Sequence, residues 1–170
     1  ADLKGFKVRV PVSPLWTSMF KALEAAPTSI NFAEVYSALQ TKIVDGQENP
    51  LAIISTAKLY EVQKHVQLTA HVHDTLGIVI GKAAWAKLSA PQQAMVEKVL
   101  VDGAKWTNVG VIAGELEDEQ FLRGKGMTVS QVNRQPFLER IARRSTPEQL
   151  GARPGDWAKL QAVALSLIHI

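Results

Sequence analysis

The chain has 170 residues, enough for a domain with a real core, and its 46% apolar and 21% charged content is the balance of an ordered globular protein rather than a disordered one. Net charge is +3, from 19 basic and 16 acidic residues that are dispersed along the chain, which is too mild for a nucleic-acid binder. There is no cysteine, so disulfides, thiol catalysis and cysteine-ligated zinc are excluded, and no apolar run approaches the roughly 20 residues of a membrane helix.

In chain order, Phe6, Val8 and Val10 alternate with Lys7 and Arg9, which predicts a strand ended by Pro11. Ser13-Pro14 reads as a helix cap and first helical residue, and Leu15, Met19, Phe20 and Leu23 carry that helix to about Ala25. Pro27–Ile30 reads as a short extended segment. Asn31 with Glu34 has capping-box spacing for a helix bearing Val35 and Leu39. Ile43-Val44 predicts a short strand turning at Asp45-Gly46, and Pro50 opens a helix to about Lys64. Val66–His73 and Thr75–Gly81 are strand candidates. Ser89 and Gln92 have capping-box spacing for a long helical stretch, in which Gly103, Gly110 and Gly114 suggest close packing or a bend. Met127–Val129 reads as a strand, and Gln135–Arg144 and Pro154–Ala164 as final helices. Strands alternating with helices predict an α/β layer architecture with a largely parallel sheet.

Few residues carry chemistry. Arg9 lies on the face of its strand opposite Val8 and Val10, two residues before the strand ends. Ligands of open α/β sheets bind beyond the carboxyl ends of strands, where a guanidinium can take a carboxylate with two parallel hydrogen bonds. Periodicity alone favours an edge or solvent-facing arginine. Asp45–Pro50 gathers polar side chains between a strand end and a helix start; Asn49 can face a ligand or merely cap the helix. Phe32 can pack on a ligand's carbon skeleton or in the core. His71 and His73 share a strand face at a spacing a metal can use, with no third ligand beyond Asp74, so neither a metal nor another cofactor is expected. Arg140, Arg143 and Arg144 read as a solvated helix face, and no nucleophile–base grouping, Gly-rich phosphate loop or HExxH motif is present.

Several ordered stretches go further. Residues 2–11, with Asp2-Leu3-Lys4-Gly5 leading to Arg9-Val10-Pro11, resemble the DLKGLKxRxP segment of DctP-type substrate-binding proteins of TRAP (tripartite ATP-independent periplasmic) transporters. So do Phe32–Thr41, Val44–Leu51 with Gln47-Glu48-Asn49, and Lys58–Lys64, in family order and spacing. Residues 75–164 are similar in pattern only.

The resemblance implies a two-lobed α/β periplasmic-binding-protein fold that closes on a small organic acid, and a solute receptor rather than an enzyme. It implies that Arg9 pairs with the ligand carboxylate, that Asn49 contacts the ligand and that Phe32 lines the pocket. It also implies a periplasmic location and the membrane subunits of a TRAP transporter as partners, with no nucleic acid and no membrane insertion. Three positions depart from the family pattern: Val12 stands where some members have a polar ligand contact, Glu24 where a glycine is usual, and Ala70 where asparagine precedes His71.

Family members carry a further stretch before the DLKG motif. On that alignment residues 1–74 belong to the second lobe, 75–114 return toward the first, and 115–164 complete the second lobe and its C-terminal helices. Residues 165–170 read as the translated end of a transposon-derived sequencing adapter. A sensor module feeding a signalling protein, an enzyme using Glu48 or His71 as base, and an α/β regulatory domain without ligand are the rival readings.

Overall fold

The computed structural model describes residues 3–72 and 76–144, with 146 and 155 besides. The predicted helix Pro154–Ala164, the tail 165–170, and His73 and Asp74 lie outside the described residues.

Two small parallel sheets organise the chain. Strand β1 (Lys7–Val10) is central in the first, flanked by β2 (Ala26–Ser29) and β3 (Gly46–Gln47). The second pairs β4 (His65–Leu68) with β5 (Thr128–Gln131). The helices are α1 (Pro14–Ala22), α2 (Val35–Gln40), α3 (Leu51–Thr56), α4 (Lys82–Trp85), α5 (Ala90–Gly124) and α6 (Gln135–Arg144). The predicted parallel α/β character holds, with two sheets in place of one.

Parallel strands are covered on both faces and so become continuously buried; Val8, Arg9 and Val10 are all buried. Val8 and Val10 pack with Met19, Phe20, Leu23 and Ala25 on the α1 side, where Phe137 and Ile141 of α6 also dock. A second core joins α2, α3 and the β4–β5 sheet through Val35, Leu39, Val44, Ile54, Leu59, Val66 and Val129, closed by Leu122 of α5. Gly46 lets β3 approach β1 closely, since a Cβ there would lie 2.8 Å from the Phe6 ring.

Local signals misplaced several boundaries. The third strand is Gly46–Gln47, beginning inside the predicted Asp45-Gly46 turn and not at Ile43-Val44, because the Lys7 amide donates to the Asp45 carboxylate and draws the chain alongside β1. Neither Ser13 nor Asn31 caps a helix with its side chain, and Phe32–Glu34 forms a 3₁₀ turn before α2. Gln92 does reach back to the Ser89 amide, as its spacing predicted.

The helix expected from Pro50 to Lys64 stops at Thr56, because Lys58 takes a left-handed backbone (φ +54°) that starts a second 3₁₀ turn at Leu59. Of the predicted strand Thr75–Gly81, the described residues 76–81 form no strand and have no ladder partner. The α5 glycines do not mark close packing among the described residues, since nothing lies within 4 Å of an added Cβ at Gly103, Gly110 or Gly114, and the helix runs on through all three.

Lys58 is exposed, and left-handed backbone costs a non-glycine residue about 1–2 kcal/mol. Lys58→Gly is therefore expected to stabilise the chain by about 0.5–1 kcal/mol after glycine's unfolded-state entropy is subtracted. An upward shift of the urea midpoint checks this; a downward shift contradicts it.

Candidate functional site

The three strands of the first sheet end together, and the residues that leave them meet. Register sets Arg9 opposite Thr28 on β2 and Gln47 on β3. Beyond β2 the chain continues through Ile30 to Phe32, and beyond β3 through Glu48 to Asn49.

Arg9 is the buried charged residue of the described structure, 4% exposed. Its Nε–H donates to the Ile30 carbonyl at 2.8 Å, and its Cζ lies 5.9 Å from the centroid of the Phe32 ring. Among the described residues no carboxylate reaches within ion-pair distance, and Nη1 and Nη2 have no hydrogen-bond acceptor. Burial lowers the guanidinium pKa from its usual value, and the nearby Glu48 carboxylate pulls it back up. An arginine nonetheless keeps its proton at neutral pH. The guanidinium is thus held at Nε, while among the described residues its two terminal nitrogens have no protein partner and are not sealed from solvent. An anion with two coplanar oxygens supplies what that fork lacks.

Asn49 is half-buried, and its amide donates to the Gln47 side-chain oxygen. That bond orients Asn49 from the residue that faces Arg9 across the β1–β3 ladder. Phe32 is 48% exposed, so its ring is not consumed by the core and offers one face beside the guanidinium. The three residues singled out in the sequence thus stand at one sheet edge. Val12, in contrast, is 73% exposed beyond Pro11.

Sequence reasoning missed the assembly behind Asn49. His71 Nε2 lies 3.2 Å from Glu48 Oε2, and its Nδ1 lies 2.7 Å from the Thr69 hydroxyl. The His71 ring also stands edge-on to Phe20 at 5.6 Å. Glu48 and His71 are 23 positions apart, beyond any periodic signal. The companions His71 would need for a metal, His73 and Asp74, lie outside the described residues; among the described residues no three His, Asp or Glu groups are placed to hold an ion.

The other two departures from the family pattern are backbone features. Glu24 and Ala70 both take left-handed backbone, φ +65° and +42°, which glycine and asparagine adopt more readily than other residues. Glu24 is held there by Arg140 and Arg144 of α6, and the Arg144 hydrogen bond, first among several cationic neighbours, draws its carboxyl below the usual range. Among the described residues no helix is long and apolar enough to cross a membrane.

Residues 1–145 match the family model described as bacterial extracellular solute-binding protein, family 7. A solute-binding protein of Roseobacter denitrificans is 39% identical over 137 residues, covering 81% of this chain and 42% of the relative. A sialic acid-binding periplasmic protein of Vibrio cholerae is 38% identical over 138 residues, covering 81% of this chain and 43% of the relative. The crystal structure of a TRAP periplasmic solute binding protein from Roseobacter denitrificans with bound 3-deoxy-D-manno-oct-2-ulosonic acid superposes with a TM-score of 0.88 at 36% identity, over 95% of this chain and 54% of that one. The chain therefore spans about half the length of the proteins it matches.

Proposed function

This chain belongs to family 7 of the bacterial extracellular solute-binding proteins, and on that premise we propose that it supplies the carboxylate-reading wall of a periplasmic receptor for small organic acids. Arg9 is the anchor: its Nη1 and Nη2 grip the carboxylate while Ile30 holds its Nε. Asn49, oriented by Gln47, adds an amide contact, and Phe32 covers the ligand's carbon skeleton. The observation that carries the reading is a buried guanidinium that, among the described residues, has no ion-pair partner and keeps an open hydrogen-bonding edge.

The work of such a site is binding, not bond breaking. A ligand that binds one arrangement of the lobes better shifts the population toward it, and no other free-energy source is needed. In this reading the liganded form is recognised by the membrane subunits of a TRAP transporter. Residues 1–74 belong to the ligand-reading lobe, 75–114 run toward a first lobe, and 115–164 complete the second. The acids bound by the two relatives just described, sialic acid and 3-deoxy-D-manno-oct-2-ulosonic acid, are sugar acids, which makes that class the first to test.

The test is calorimetric titration of the chain with those two acids, succinate and an uncharged sugar. Heats with one or more acids and none with the sugar are expected. Binding of the sugar as tightly as the acids, or of no acid, overturns the reading.

A further inference from the structure

The anchor has a competitor inside the protein. Glu48 follows the residue that faces Arg9 across the β1–β3 ladder, and its carboxylate acts on the guanidinium electrostatically. Its side chain is only 15% exposed, so water screens the attraction poorly. A carboxylate so placed forms a salt bridge with a buried guanidinium unless something else holds it. Yet the two are not within ion-pair distance, and the group that Glu48 does contact is His71.

We propose that His71 is a positioning residue: it restrains the Glu48 carboxylate away from Arg9, so that the arginine fork stays open for a ligand anion. The proposal rests on the reading of Arg9 as an anion anchor.

The bonding around His71 suits it to this role. Nδ1 is engaged by the Thr69 hydroxyl at 2.7 Å, and Nε2 faces the Glu48 carboxylate at 3.2 Å, so that an Nε2–H donates to it. The imidazole is thereby held at both of its nitrogens. The edge-on contact with Phe20 fixes its plane. The backbone is secured too, since Arg134 Nη2 donates to the carbonyl of Ala70, between Thr69 and His71, at 2.9 Å. A rigid donor aimed at one carboxylate oxygen offsets the pull of Arg9, whereas a mobile one would lose to it.

Freed, Glu48 would place its oxygens where the ligand's belong. A ligand would then have to displace an internal carboxylate and leave it buried without a partner, so affinity falls although no ligand contact has been removed. The arrangement also discriminates by charge. A neutral ligand gains nothing from an open fork, while an acid gains the whole pair.

The test uses the ligand-free chain first. Guanidinium ¹⁵N–¹H spectra of Arg9 are compared in the native protein, His71→Phe, His71→Gln and His71→Phe/Glu48→Gln. Phenylalanine keeps a ring against Phe20 and removes the donor; glutamine keeps a donor. Expected is a shift and slowed Nη rotation in His71→Phe, reporting a new pair with Glu48, and its disappearance in the double variant. His71→Gln should keep the native spectrum and serves as the folded control.

Titration with 3-deoxy-D-manno-oct-2-ulosonic acid follows, with a loss of about tenfold expected for His71→Phe and recovery in the double variant to the level of Glu48→Gln alone. Arg9 signals unchanged by His71→Phe, or a loss that Glu48→Gln fails to reverse, overturn the proposal. Failure of the anchor reading is seen separately, as native Arg9 signals that no acid moves.

Discussion

Arg9→Ala is expected to weaken carboxylate binding by about 2–5 kcal/mol, the largest effect of any single change at the site. The figure combines loss of a charge-assisted fork with abandonment of the ligand's carboxylate in a desolvated place. Arg9→Lys should recover little. The Arg9 side chain does two things at once: its Nε spans to the Ile30 carbonyl and leaves two coplanar nitrogens for the ligand. A lysine ammonium is a point charge that cannot hold both partners in that geometry. Because Arg9 is also buried beside β2, thermal melts of both variants separate lost binding from lost fold. Near-native calorimetric affinity in a folded Arg9→Ala protein would refute the assignment.

The second large effect concerns stability. Leu122→Ala is expected to cost about 2.7–5 kcal/mol, as full truncation of a buried leucine does where the surroundings relax only partly. Leu122 is fully buried and joins α5 to the core that also holds Leu59, Val66 and Val129. Leu116→Ala, six residues earlier on the same helix, removes the same atoms from a side chain that is 69% exposed and should stay within about 0.5 kcal/mol. Urea unfolding of the pair checks the contrast, and equal destabilisation by both would mean that α5 is packed along more of its length than the structure describes.

How far the sequence disclosed this molecule depended on whether a signal was local. The alternation of Val8, Arg9 and Val10 and the spacing of Leu15, Met19 and Leu23 are one-element properties, and they located β1 and α1. Ser13 and Asn31 have the chemistry of caps, but chain direction at those points left their side chains unused. The left-handed turn at Lys58 has no composition signal, since lysine ordinarily avoids it. Leu76, Ile78, Val79 and Ile80 have strand composition, yet a strand also needs a neighbouring edge, and among the described residues none lies beside them; Leu76 is 90% exposed. At the site, family motifs singled out Arg9, Asn49 and Phe32, and the fold gathers them at one edge. The contact between Glu48 and His71 depends on how the strand ends converge, which no spacing encodes.

The 35 residues of α5 form one uninterrupted rod about 50 Å long at ~1.5 Å per residue. Its buried side chain, Leu122, lies in the last turn, while Trp106, Val109 and Ile112 are exposed midway along it. Among the described residues, the helix is held at that end. With Leu122 as fulcrum, a tilt of ~5° sweeps the Ala90 end through roughly 4 Å, given the same rise per residue. Small rearrangements of the β4–β5 sheet, on which the fulcrum sits, are thereby magnified at a point far from where they begin.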